Sequence, residues 1–221
     1  MSETISGVKR RGSGRPPARE LEAHKEAILD AATATFLEHG YSKASTAEIA
    51  RRAGASKQTI YSLYPSKAEL FAALMQRRSA RLIDPLASQV LRDDAPVEEV
   101  LRRFAFQVVR LLLTEVSQRL HRIIISEAKS FPELVGAFWA NGPGWGRETL
   151  KVYLDAQVAG GVLEVGNTRY AANQFIGSLA DVIVMHSMLM LPTPLEGEKA
   201  IGDWVEMGVS AFLRAYRKMG D

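Results

Sequence analysis

Residues 45–64 read STAEIARRAGASKQTIYSLY. Two short runs of helix-forming residues flank Ala53-Gly54-Ala55, and Pro65 follows the second run. Ser45 or Thr46 can cap the first run, and Glu48 stands three residues beyond Ser45 as in a capping box. Ser56 can cap the second, and Gly54 permits the positive φ that a tight turn between helices needs. This is the layout of a helix-turn-helix. The second run, 57–64, is about two turns long and too short to be stable alone. Its Ile60 and Leu63 point toward a core that Phe36, Ile49, Ala50 and Leu70 can complete. Lys57, Gln58, Tyr61 and Ser62 point the opposite way. A helix docked by one apolar edge and presenting Lys, Gln and Tyr suits the major groove of B-DNA. Gln can pair with adenine, Lys with guanine or phosphate, and Tyr with phosphate or a thymine methyl.

Outward from this stretch the helical period continues in both directions. Leu21, Ala27, Ile28, Ala31, Ala32, Thr35 and Phe36 form one stripe, and Gly40 supplies a stop. Downstream, Pro65 can occupy or adjoin the first turn of a fourth helix, which Phe71, Leu74, Met75, Leu82 and Leu86 carry to about residue 90. Further helices are expected over 97–114, 116–130, 132–141, 147–160, 169–191 and 196–219, with the glycine-rich segment 141–146 as a loop. No alternating segment of strand length and no internal repeat interrupts them. The chain reads as all-α, about nine or ten helices. Its expected organisation is a flexible basic arm over 1–18, a three-helix head over 19–66 and a larger helical body over 67–221.

Composition narrows the function. With 47% hydrophobic and 24% charged residues, the chain resembles an ordinary globular protein and not a disordered one. It has no cysteine, which removes disulfides and thiolate metal sites and fits a reducing cytoplasm. The first residues lack the apolar core of a secretory signal. The most membrane-like run, 175–191, is slightly short of a span and contains Asp181 and His186, so a buried helix is expected. The net charge of +3 is unevenly placed: residues 1–66 hold ten Lys/Arg against seven Asp/Glu, and the rest hold eighteen of each. That asymmetry points to an anionic partner for the head, nucleic acid before membrane. Enzyme signatures are missing: no Gly-x-Ser-x-Gly elbow, no P-loop, no cysteine nucleophile and no convincing carboxylate pair. No cofactor is implied. His121 and His186 lack a third ligand that sequence would place near them.

At 45–64, with the following PSKAELF, the chain resembles the DNA-binding domain of the TetR family of bacterial transcriptional regulators. Thr46, Ile49, Ala50, Ala53, Gly54, Ser56, Ile60, Tyr61, Ser66, Lys67 and Leu70 carry the likeness in order and spacing, and ILDAATATFLEHGYSKAS at 28–45 resembles the family's first helix and turn. Ala55, Leu63 and Tyr64 depart from the family pattern; Leu63 removes a polar ring, and Tyr64 is the candidate to replace its contact. The resemblance implies Thr46, Tyr61 and Lys67 as phosphate contacts, and Lys57, Gln58 and Thr59 as base-reading or near-base positions. The arm KRRGSGRPPAR is cationic and poor in apolar residues, and its Arg15 suits a narrow A·T-rich minor groove.

The segments QRLHRIIISEAKSFPELVGAFWANGP and YLDAQVAGGVLEVGNTRYAANQFIGSLADV are similar to AefR-like C-terminal domains of the same family. The resemblance implies a homodimer with a largely apolar effector cavity in the body. Phe104, Val108, His121, Phe138, Trp139, Trp145, Tyr153, Met185 and His186 are the candidate lining residues. The helix expected over 169–191 is apolar on more than one face, so Phe175, Ile176, Leu179 and Ile183, with Val205, Val209 and Phe212 of the last helix, are expected at a two-fold interface. Two reading helices related by a two-fold axis require a (pseudo)palindromic operator. The function expected is a repressor released from its operator by a small molecule; a transcriptional activator or an effector-independent DNA-binding module is the alternative.

Overall fold

The computed structural model describes residues 18–90 and 95–218. The expected arm, including Arg15, lies outside the described residues. Ten helices follow in order: α1 Ala18–Lys43, α2 Thr46–Ala53, α3 Lys57–Leu63, α4 Lys67–Val90, α5 Val97–Leu113, α6 Glu115–Glu127, α7 Pro132–Asn141, α8 Pro143–Ala159, α9 Thr168–Met188 and α10 Gly197–Tyr216. Among the described residues there is no strand, only one antiparallel bridge between Leu163 and Arg217. There the backbone N–H of Glu164 donates to the Tyr216 carbonyl at 2.8 Å, tying the end of the chain to the α8–α9 turn. The expected all-α class is observed.

Local chemistry explains most boundaries. The Ser45 hydroxyl accepts from the N–H groups of Ala47 and Glu48 at the start of α2, and the Ser56 hydroxyl accepts from Thr59 N–H at the start of α3. Gly54 closes α2 at φ 64°, and the Ala55 N–H reaches back to the Ala50 carbonyl at 2.9 Å. Three expectations need correction. Glu48 does not complete a capping box, because its carboxylate is taken by Arg52 and His39. Helix α4 begins at Lys67, not at Pro65, with the Ser66 hydroxyl accepting from Glu69 N–H. The glycine-rich segment is not an open loop: α7 runs to Asn141 and α8 starts at Pro143, whose fixed φ suits a first helical turn.

Buried side chains fall into two groups. One unites α5, α8, α9 and α10 around Leu101, Phe104, Leu154, Phe175 and Val205. The other unites α1 to α4 around Ile28, Phe36, Ile49, Ile60 and Phe71, but Leu120 and Ile124 of α6 and Leu134 of α7 complete it. Core packing therefore does not divide at residue 66. The seven side chains expected at a dimer interface, Phe175, Ile176, Leu179, Ile183, Val205, Val209 and Phe212, are all buried inside the chain's own body core. Apolar patterning alone shows that a face is covered, not by which copy. Here α9 and α10 cover these residues together with α5 and α8.

The head is fastened to the body at the end of α1. Gly40 breaks the helix at φ 75°, ψ 174°, a conformation open essentially to glycine only. Just beyond it, Ser42 N–H donates to Glu127 of α6 at 2.7 Å. One turn earlier, Arg119 of α6 donates to the Leu37 carbonyl at 2.7 Å. A Cβ at Gly40 would lie 2.8 Å from the Glu127 carboxylate. Gly40→Ala should therefore lower stability by about 1–3 kcal/mol through backbone strain, and by more if Glu127 cannot yield. Equilibrium chemical denaturation measures it, and a loss under about 0.5 kcal/mol, the range of ordinary surface changes, would contradict the assignment.

Candidate nucleic-acid interface and internal cavity

Helix α3 is held by Ile60, whose exposure is 0%, and by half-buried Leu63. On its outer side Lys57, Gln58 and Ser62 are exposed, and Tyr61 is 47% exposed. Within the described residues the side chains of Lys57 and Gln58 make no hydrogen bond, so their donors are available to a partner. Tyr61 is oriented: its hydroxyl lies 3.0 Å from that of Thr46 at the start of α2, which couples the two helices at the outer surface. Thr46 and Tyr61 are thus brought together, beside Lys57 and Gln58.

The other polar candidates are placed differently. Thr59 is half-buried, with its hydroxyl 2.8 Å from that of Ser56, so it reinforces the cap of α3. Tyr64 packs against the head core, and burial pushes its phenol above the ordinary value. Lys67 turns inward. Its ammonium donates to the carbonyls of Tyr41, Ser42 and Ala44 at 2.7, 3.2 and 3.4 Å, and stands 4.5 Å from the centre of the Tyr41 ring. These carbonyls lie at the end of α1 and the turn into α2, where a cation is favoured. Desolvation lowers the Lys67 pKa from its ordinary value. In this arrangement Lys67 braces the head, and its donors are not free for a phosphate.

A cavity of about 250 Å³ lies beneath the head, walled by α4, α5, α6, α7, α8 and α9. Of the expected lining residues, Val108, His121, Phe138 and Trp139 face it. Phe104 and Tyr153 instead belong to the body core, and Trp145 packs against that core. Met185 is exposed, and His186 Nδ1 lies 2.7 Å from the Pro192 carbonyl. Ile176, expected at a dimer interface, lines the cavity. His121 Nδ1 is 2.8 Å from the Ser117 carbonyl, so this nitrogen carries the hydrogen. Its ring meets Phe138 edge-on at 5.2 Å, and burial holds it below its ordinary pKa, neutral at pH 7. Most of the wall was not expected from the sequence, and it includes two charged residues, Arg78 of α4 and Arg147 of α8. The signal was present for Arg78, which follows Phe71, Leu74 and Met75 on the same helical stripe. Among the described residues no group of His, Cys, Asp and Glu is arranged to hold a metal ion, and no helix is long and apolar enough to cross a membrane.

Known proteins match both parts of the chain. A sequence model of the tetR family of bacterial regulatory proteins matches residues 28–74, and one of the C-terminal domain of AefR-like transcriptional repressors matches residues 99–218. The transcriptional activator FasR of Mycolicibacterium smegmatis is 33% identical over 109 residues, 46% of this chain and 49% of FasR. The transcriptional repressor SCO4008 of Streptomyces coelicolor is 44% identical over 61 residues, 28% of this chain and 32% of that protein. The chain thus spans half or less of the curated relatives it matches. Among solved structures, one described as a TetR-family regulator from Mesorhizobium loti superposes with a TM-score of 0.76 at 26% identity, covering 91% of this chain and all of that one. The flavonoid-responsive regulator FrrA superposes with a TM-score of 0.67 at 31% identity, covering 90% of this chain and all of its own.

The two kinds of polar residue separate experimentally. Gln58→Ala should lose about 1–3 kcal/mol of discrimination at one operator base pair, as expected for a bidentate contact. Lys67→Met should instead lower folding stability by about 1–3 kcal/mol, the range for hydrogen bonds to a charged group, and leave the salt dependence of DNA binding unchanged. Fluorescence anisotropy across a salt series, with denaturation of each variant, reads both effects. A drop of about 0.9 in the salt slope of Lys67→Met would return that ammonium to a phosphate.

Proposed function

This chain belongs to the TetR family of bacterial transcriptional regulators, and we propose that it is a dimeric repressor that binds a pseudo-palindromic operator and leaves it when a small molecule fills the body cavity. It is a regulator and not an enzyme, as are the proteins it matches. The observation that carries the reading is α3: anchored on fully buried Ile60 and offering Lys57 and Gln58, which have no hydrogen-bond partner among the described residues, beside the Thr46–Tyr61 pair. Such a helix fits a major groove, with Tyr61 and Thr46 at the backbone and Lys57 and Gln58 at base edges. Thr59 serves the same surface through the cap it shares with Ser56. A cytoplasmic location follows from a DNA partner.

The partner copy has a face to dock on. With the seven expected residues turned inward, the outer sides of α9 and α10 offer Gly177, Val182 and exposed Met185 together with Ala211 and Met207, the last 62% exposed. Pairing these helices with their symmetry mates would bury that apolar surface and set two α3 helices for two half-sites. Release requires only about 1–3 kcal/mol of coupling between cavity and head. Met75 and Leu120 supply a route, since each lines the cavity and also packs in the head core. The activator reading draws on a specific observation, the likeness to FasR; it changes the sign of regulation and leaves the DNA geometry alone.

Genomic footprinting should find protected sites with two-fold symmetry, and their flanking transcripts should rise when this gene is deleted. Transcripts that fall would favour the activator. Met207→Glu should convert the dimer to a monomer by light scattering and lose operator affinity at least tenfold. A monomeric wild-type protein, or an asymmetric single-half-site footprint, would sink the dimer geometry.

A further inference from the structure

The cavity has a feature that an apolar effector alone does not explain. Its walls are mostly aliphatic and aromatic, yet two guanidinium groups, Arg78 and Arg147, face it and, among the described residues, no carboxylate does. Arg78 donates to the hydroxyls of Ser117 at 2.9 Å and Thr114 at 3.4 Å, both through one nitrogen. Arg147 donates to the Pro143 carbonyl at 3.0 Å and stands 5.3 Å from the centre of the Trp139 ring. Neither pairs with an acid among the described residues. The contrast with adjacent Arg77 is direct: it is ion-paired to Glu26 and Asp30 at 3.2 and 2.8 Å. A guanidinium carries five N–H donors, so most of those on Arg78 and Arg147 have no protein acceptor.

Charge left without a counter-ion in a poorly solvated site is costly, and a ligand anion removes that cost. Desolvation holds both guanidinium groups below their ordinary pKa, which agrees with a site lacking its anion. Neutral His121 adds polarity without charge and so does not compete for the anion. Size limits the rest of the ligand: at about 250 Å³ the cavity lies below the roughly 300–1,000 Å³ usual for drug-sized ligands, which points to a small one.

We infer that the effector is a small amphipathic monoanion, an apolar chain or ring bearing one carboxylate, with its acid group held by Arg78 and Arg147 and its body against Val108, Leu120, Phe138 and Ile176. The inference rests on the effector reading above and gives that ligand a chemical class. Octanoate or phenylpropanoate matches it; a long-chain acyl thioester is bulkier than this class, and an amine has the wrong charge.

Calorimetric titration of the full chain with octanoate, 1-octanol and octylammonium tests the class without DNA. Octanoate should bind at least tenfold tighter than 1-octanol, with octylammonium weakest. Arg78→Gln and Arg147→Gln should each reduce the preference for octanoate over octanol to threefold or less while still binding octanol as the wild type does. Either variant suffices if the other fails to fold, which thermal melting reports. Equal binding of octanoate and octanol, a preference that survives both substitutions, or no binding of any probe would overturn the inference. Anisotropy on operator DNA is read separately. Octanoate that binds with the stated preference but leaves operator affinity unchanged would support the anion site and defeat the release mechanism.

Discussion

The head depends on an apolar core it cannot close by itself. Leu120 and Ile124 from α6 and Leu134 from α7 complete the packing around Phe36, Ile49 and Phe71. Polar contacts lock the same joint, with Glu127 on Ser42 N–H and Arg119 on the Leu37 carbonyl. Tyr41 sits at its centre, stacked on Phe36 and edge-on to Phe71 and Phe131, and burial raises its phenol to about 12. Close-packed interiors shift between discrete arrangements more readily than they stretch. A change at α6 therefore bears directly on the angle at which α1 to α3 are held.

The cavity adjoins this joint. Met75 and Leu120 are shared between its wall and the head core, so filling the cavity presses on side chains that also position Ile60's surroundings. The polar residues of the head divide along the same physical line. Those whose donors meet a carbonyl or a cap, such as Lys67 and Thr59, stabilise the frame. Those without a partner among the described residues, Lys57 and Gln58, are the ones proposed to meet a DNA base. Residue type does not separate the two groups; what separates them is whether a carbonyl or a capping side chain lies within reach.

Much of this was legible in the chain. The Ser45, Gly54 and Ser56 signals located the helix-turn-helix because caps and left-handed turns are decided within a few residues. Non-local facts were not. The pattern of 169–191 showed that Phe175, Leu179 and Ile183 are covered, but intramolecular and intermolecular cover leave the same period. Lys67 reads as a surface cation until Tyr41, Ser42 and Ala44 turn their carbonyls toward it across more than twenty residues of sequence. Three effector candidates are bulky aromatic residues that fill or pack on the body core, Phe104, Trp145 and Tyr153.

Transmission from cavity to head is the central claim, and it can be tested without any ligand. Ala180 of α9 lines the cavity, and Ala180→Phe would occupy part of its volume. Operator affinity of this variant, measured by fluorescence anisotropy on a footprinted site, is the decisive quantity. A fall of about 5- to 150-fold is expected, the usual range of allosteric coupling, with dimerisation and helix content unchanged. A variant that fills the cavity and still binds the operator as tightly as the wild type would contradict it.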